Sequence, residues 1–263
     1  MNTYAAFSWF LGKVRGLWGS QNWVTRNDER SPMIAFHGDP ATKEKYIARV
    51  REHRKADRLF QGATWKDGKG CAVGCTLETY EHSRYPIELG VPEELAHLQD
   101  SIFEGLTPGD EQEFPEQFLE AIPVGADLSL VWNRFAVWLL VDAKHGVLTR
   151  VDDEVSRSAI QGVASLYLEV IEGRQVSHDA WEAAKSAACF VSRPAARSTG
   201  AACCAARSAG AACCAAGSAA RHAALSARPA RPAARYAARH AQRDELLRLL
   251  RAAPVASSKG GAL

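Results

Sequence analysis

The sequence predicts a mainly α-helical protein, a compact multi-helix domain followed by an alanine-rich, partly helical low-complexity tail. Three observations predict it. Apolar residues recur at three- and four-residue spacing over several stretches before residue 190. Those stretches open on Asp, Ser or Pro and close on Gly, which is how capped helices begin and end. From residue 191 the composition changes abruptly to alanine interrupted by Arg, Pro and Gly. The division that follows is an N-terminal extension over 1–32, a globular domain over 33–190 and an Ala/Arg-rich repeat tail over 191–263 that ends in a short amphipathic helix.

The extension carries Trp9, Trp18 and Trp23 before a polar run. It reads either as a partner or membrane-surface helix with aromatic anchors or, preferably, as poorly ordered sequence upstream of a start at Met33. Asp39 caps a helix opened by Pro40, with Tyr46, Ile47, Val50 and Leu59 on one stripe, running to about residue 60. Asp67-Gly68 signals a tight turn ahead of the small, apolar stretch Cys71 to Leu77. Pro92, Glu93 and Glu94 open a helix with Leu95, Leu98 and Ile102 on its face, closed by Gly105. Pro115 starts a short helix through Phe118 and Leu119, and Asp127 caps an apolar one over 128–141 whose Trp132, Phe135 and Trp138 read as core. Two more helices follow, about 153–172 ended by Gly173, and one capped by Ser177, so that the domain holds about six helices and little strand.

In the tail the ten residues from Ala195 to Cys204 are nearly repeated from Ala205 to Cys214. Ten residues advance a helix by about 1000°, roughly 80° short of three turns, so the repeat cannot build a straight stripe. Pro194, Gly200, Gly210, Gly217, Pro229 and Pro232 break the segment, and the part from Tyr236 to Ala253, with Leu246, Leu247, Leu249 and Leu250, is the helix able to dock.

The net charge of +2 conceals a division: from Val191 onward there are 12 Lys+Arg against 2 Asp+Glu, and before it 20 against 28. An acidic body thus carries a basic tail. Seven cysteines, four of them in vicinal pairs inside the repeat, do not form a secreted disulfide pattern and point to a reducing, cytoplasmic compartment. No run of about 18 uncharged apolar residues suggests a membrane span, and no cleaved leader is expected.

Chemistry is most suggestive at Cys71 and Cys75, with Glu78 and His82 behind them. Two cysteines four apart share a helix face, so with His82 they are candidate ligands for zinc or iron. Alternatively Cys71 at a helix N-terminus is a candidate nucleophile with His82 as its base. The plainer reading is that both are small buried residues packed beside glycines. The pairs Cys203-Cys204 and Cys213-Cys214 would stand about 15 Å apart in a helix and form no common site. Arg221, Arg228, Arg231, Arg235 and Arg239 are candidates for nucleic-acid phosphate or partner contact, although Tyr236 is the one aromatic among them. An equal alternative has the basic tail pack on the acidic body. The remaining histidines, His37, His53, His97, His145 and His178, lack metal-ligand spacing and read as surface or capping groups. No phosphate-binding glycine loop and no nucleophile elbow occurs.

At Gly70 to Cys75, at Glu88-Leu89-Gly90-Val91-Pro92, at Ile102-Phe103-Glu104-Gly105-Leu106 and at Phe118 to Pro123, the chain resembles a group of uncharacterised bacterial and phage proteins. The similarity spans about 33–172 and includes Cys71, Cys75 and His82; an alanine-rich tail is common in the group. The resemblance implies a bacterial or phage-borne cytoplasmic protein and brings no activity with it. Two functions remain as expectations. One is a non-enzymatic accessory or interaction protein that binds a macromolecular partner through an acidic body and basic tail. The other is a metal- or thiol-dependent site at Cys71, Cys75 and His82.

Overall fold

The structure, a computed structural model, describes residues 33–190, 205, 219, 222–223 and 232–255. Asp39 accepts the backbone N–H groups of Ala41 and Thr42 at 2.9 and 3.0 Å, and Pro40 supplies a preset φ, so α1 (Pro40–Lys55) starts where the sequence places it. It ends earlier than expected. Asp57 adopts a left-handed φ of 49°, and Leu59 leaves the helix to bridge Gly70, burying its side chain by that route instead. The Asp-Gly signal marks a β-hairpin: β1 (Trp65–Lys66) pairs antiparallel with β2 (Lys69–Gly70). Asp67 and Gly68 take φ of 53° and 74°, the two left-handed positions that a two-residue hairpin turn of this hand requires.

Two short helices follow, α2 (Ala72–Leu77) and α3 (Arg84–Leu89), of which α3 was not anticipated. Pro92 with Glu93 and Glu94 opens α4 (Glu93–Phe103), and Pro115 lies in the first turn of α5 (Phe114–Ala121). Asp127 accepts the Ser129 N–H at 2.9 Å in a local turn, and α6 (Val131–Val141) starts beyond it, later than the expected 128. Asp153 caps α7 (Glu154–Ile171) through the Ser156 N–H at 2.8 Å, and Gly173 follows it at φ 79°. The Ser177 hydroxyl accepts the Ala180 N–H at the head of α8 (His178–Phe190).

A further helix, α9 (Pro232–Arg251), lies against α4, α5 and α6 and buries Leu246, Leu247, Leu249 and Leu250. Among the described residues the architecture is therefore nine helices with one two-stranded sheet. α7 bridges α6 and α8, while α1 packs on α2 and α5. The last described residues are tied to the domain by their backbone, since Asp127 N–H donates to Pro254 O at 2.8 Å and Ala126 bridges Val255. Two aromatic residues of α6 are core, as expected, and Trp138 is partly buried against it: Phe135 is wholly buried, and Trp132 donates to the Tyr167 hydroxyl at 3.0 Å. Tyr167 in turn donates to Ala205 O at 2.6 Å, and Ala205, Ala219 and Ala223 are buried. Alanines of the tail thus pack on the domain. No described helix is long and apolar enough to cross a membrane.

Candidate functional site

The hairpin delivers the chain into α2 with Cys71 as its first, flanking residue. Cys71 is extended (φ −72°, ψ −174°), its N–H donates to Thr64 O at 3.0 Å, and its thiol faces into the protein at 0% exposure. Gly70 and Gly74 make this possible, because a Cβ on either would collide with the Thr64 carbonyl. Four residues on, the Cys75 thiol turns toward the hairpin, donating to Arg58 O at 3.4 Å and Gly70 O at 3.5 Å. The two cysteines share a helix but engage different partners.

Cys71 meets the buried end of α4. Asp100 stands beside its thiol, accepts the Tyr80 hydroxyl at 3.1 Å, and has its Oδ2 3.6 Å from His82 Nε2. His82 stacks on His97, ring centroids 3.9 Å apart and planes within 9°, and His97 Nε2 lies 3.5 Å from Glu93. Tyr80 meets His82 edge-on. Next to Asp100, the buried Gln99 accepts the Tyr85 hydroxyl at 2.7 Å. A polar cluster is therefore built from α2, the following loop and one flank of α4. His82 Nε2 and Asp100 Oδ1 are buried without a hydrogen-bond partner, which costs about 1–3 kcal/mol for each such group.

The order of groups decides what this cluster can do. In an activated cysteine the imidazole adjoins the thiol and the carboxylate stands behind it. Here the carboxylate adjoins the thiol. Burial and then the Asp100 charge and hydrogen bond push the Cys71 thiol well above its ordinary range; the Gly74 and Val73 N–H groups at the helix start pull the other way and are outweighed. Burial pushes Cys75 up to about 12. Both thiols are held protonated, whereas a metal ligand or nucleophile must be a thiolate. Among the described residues no group of three or more His, Cys, Asp or Glu is placed to hold a metal ion. The arrangement thus joins Cys71 to His82 through Asp100 and leaves Cys75 with backbone carbonyls.

Of the histidines expected as surface or capping groups, His53 is buried at 5% exposure, and the candidate ligand His82 is buried at 8%. His53 lies edge-on to Trp65 and 3.6 Å from Glu78, and burial lowers its proton affinity. Sequence reasoning passed over Asp100, Gln99, Tyr80 and the partnership of His82 with His97. One signal was present, a Gln-Asp pair set in the Leu95/Leu98/Ile102 helix, which puts polar groups beside a buried stripe.

Arg221, Arg228 and Arg231 lie outside the described residues. Arg235 is exposed on α9. Arg239 is a correction: it is 5% exposed, lies along Gly105 and donates to Gln242 at 2.9 Å, so it serves packing and is not presented to a phosphate. Beyond it His240 contacts Thr107 at 2.9 Å and Asp110 at 3.4 Å, while Arg243 and Arg248 pair with Asp244 and Glu245. On the body, Arg51 and Arg54 of α1 engage Glu116, and Arg51 also Glu120, so part of the acidic surface is neutralised locally. Cysteine usage pointed to reduced thiols; Cys71 and Cys75 are free, whereas Cys189 is disulfide-bonded.

The chain matches no known family model, no curated protein and no solved structure.

Proposed function

We propose that this protein is a non-enzymatic accessory or interaction protein, with its helical body serving as the platform for a basic segment that binds nucleic-acid phosphates. One observation carries the reading. Residues 191–231 contain six arginines and no Asp or Glu, and the helices that flank them, α8 and α9, are both seated in the core. The basic segment thus lies in sequence between two helices of the core, and exposed Arg235 carries its charge onto α9. Tethering limits how much freedom the segment loses on binding. Arginine suits the task, since its fork pairs with phosphate oxygens and stays charged at all physiological pH. The segment has no Phe, Trp or Tyr for base stacking, which favours duplex backbone over single strands and gives no sequence preference. A bacterial or phage origin and a cytoplasmic setting belong to the same proposal. The alternative, a metal- or thiol-dependent site at Cys71, Cys75 and His82, gains less support because both thiols are buried and protonated.

The test is fluorescence anisotropy of a labelled 20-base-pair duplex titrated with full-length protein from 50 to 200 mM salt. Each phosphate neutralised contributes about −0.9 to the slope of log K against log salt. Replacing Arg221, Arg228, Arg231 and Arg235 with Gln should flatten that slope by roughly 3 to 4 units if all four reach phosphates. No binding at 50 mM salt, or a slope untouched by the four substitutions, overturns the reading.

A further inference from the structure

The buried cluster around Cys71 plays no part in phosphate binding, yet it has an unusual construction. Cys71 is completely buried, but the residue whose hydroxyl approaches it from outside, Tyr80, is 42% exposed. Tyr80 and His82 belong to the loop 78–83 between α2 and α3, and three contacts pin that loop to α4: the Tyr80 to Asp100 hydrogen bond at 3.1 Å, the His82–His97 stack at 3.9 Å and the approach of His82 Nε2 to Asp100 at 3.6 Å. Glu78 begins the loop in a left-handed conformation, φ 57°, which an L residue adopts only at a cost. The loop is short and carries few buried groups of its own; Tyr80 and His82 tie it to the cluster, while Glu78 at its start lies 3.6 Å from both Arg49 and His53 of α1.

We propose that the loop 78–83 is an acid-sensitive cover over the Cys71 thiol, latched by the His82–His97 stack and the Tyr80–Asp100 hydrogen bond and released when the His97 imidazole takes up a proton from solvent. Two imidazoles stacked face to face within 4 Å tolerate one positive charge and resist a second. The groups facing the pair are Asp100 and Glu93 of α4, Tyr80 of the loop and Cys71 at the head of α2, with Glu104 acting on Tyr80. Asp100, which also faces His82, the Tyr80 hydroxyl and the thiol, attracts charge to His97 only as the weakest of the influences on it. Glu93, on the outer side, offsets part of the repulsion without cancelling it. In support, burial and then the neighbouring His82 charge hold His97 down at about 4, against 6.5 for an ordinary histidine. With the loop open both effects vanish, so acid favours the open form. Full linkage would raise the open population about thirtyfold at pH 5; solvent reaching the outer edge of His97 reduces this to roughly tenfold.

The experiment is site-resolved thiol labelling of the full-length protein with 4,4′-dithiodipyridine from pH 7.5 to pH 4.5. Attack of the thiol on the reagent forms a mixed disulfide and expels thiopyridone. Peptide mass spectrometry reads the labelling of Cys71 and of Cys75 separately. The Cys75 thiol engages the Arg58 and Gly70 carbonyls, neither of them in the loop, so the ratio of the two rates cancels the reagent's own pH dependence. The ratio should rise roughly tenfold between pH 7.5 and pH 5 in the wild type. It should stay flat in His97→Phe, whose ring preserves the stack and binds no proton; His97→Gln serves the same purpose if the phenylalanine variant does not fold. A flat ratio in the wild type, including the case in which both cysteines open together, overturns the proposal. So does an equal rise in either variant.

Discussion

Replacing Leu246 with alanine separates two ways in which α9 can relate to the rest of the chain. As the end of a basic tail, α9 would fray on its own and leave the domain unaffected. As part of the core, it must take the domain's stability with it. Leu246 is 0% exposed on a helix that packs against α4, α5 and α6. Truncation removes three carbons, about 2.4 kcal/mol at 0.8 kcal/mol per buried methylene, and the cavity left behind brings the usual range to about 2.7–5 kcal/mol. With a urea m-value of about 2 kcal/mol/M, the midpoint should fall by roughly 1.4–2.5 M. Arg235→Ala on the exposed face of the same helix is the control and should shift stability by no more than about 0.5 kcal/mol. Tryptophan fluorescence reports the transition, because Trp132 and Trp181 are buried in the α6–α8 layer. A midpoint lowered by less than about 0.5 M, or a second transition confined to far-UV circular dichroism, would refute the assignment of α9 to the core.

Three other outcomes follow from single contacts. Gly90 sits at φ 61° after α3, where a Cβ would strike the Ile34 carbonyl, so Gly90→Ala should destabilise by several kcal/mol, combining a left-handed backbone cost of about 1 kcal/mol with displacement of the Ile34 strand segment; chemical denaturation measures it. Tyr167→Phe removes a donor to Ala205 O and the acceptor of Trp132 Nε1–H, at about 1–3 kcal/mol for the buried indole N–H; an unchanged midpoint would mean that these contacts do not persist in solution. For pH, His97 is held at about 4, below its ordinary 6.5, so between those values the unfolded chain binds more protons than the folded one. Stability is full above pH 6.5 and declines as pH falls toward 4. Thermal melts of wild type and His97→Gln should therefore converge at low pH if the wild type is the more stable at pH 7.5, and curves that stay parallel would count against a depressed His97.

Helices were legible in the sequence where a local signal and a period coincided. Asp39-Pro40 and Ser177 each name a cap, and the backbone N–H groups they satisfy lie two or three residues away, so tertiary structure is not needed to foresee them. α3 escaped because six residues hold less than two turns, too few for a period, and Pro86 inside them reads as a breaker. Leu59 was placed on the α1 stripe and does reach the core, but by a β-bridge to Gly70 after the helix has ended, a distinction that burial pattern alone cannot draw. The site was legible in part. Cys71, Cys75 and His82 could be singled out as residue types close in sequence, whereas the groups that decide their chemistry, Asp100 and His97, arrive from α4. Spacing rules look for ligands on one element; this cluster is made by the docking of two.

The basic tail illustrates the opposite difficulty. Composition marks a boundary at residue 191, and charge makes everything beyond it look alike, yet α9 returns to the core with Arg239 buried along Gly105. The lack of a Cβ at Gly105 is what lets the arginine stem lie there while its guanidinium reaches Gln242. One Gly thus converts an arginine that counts toward a nucleic-acid patch into one that counts toward packing. The same reasoning sharpens the binding hypothesis. Arg239 should be omitted from the substituted set in a salt-dependence experiment, because Arg239→Gln would alter α9 docking and change affinity indirectly. A loss of duplex binding from Arg221, Arg228, Arg231 and Arg235 with an unchanged urea midpoint then reports phosphate contact, whereas the same loss with a lowered midpoint reports a loosened anchor.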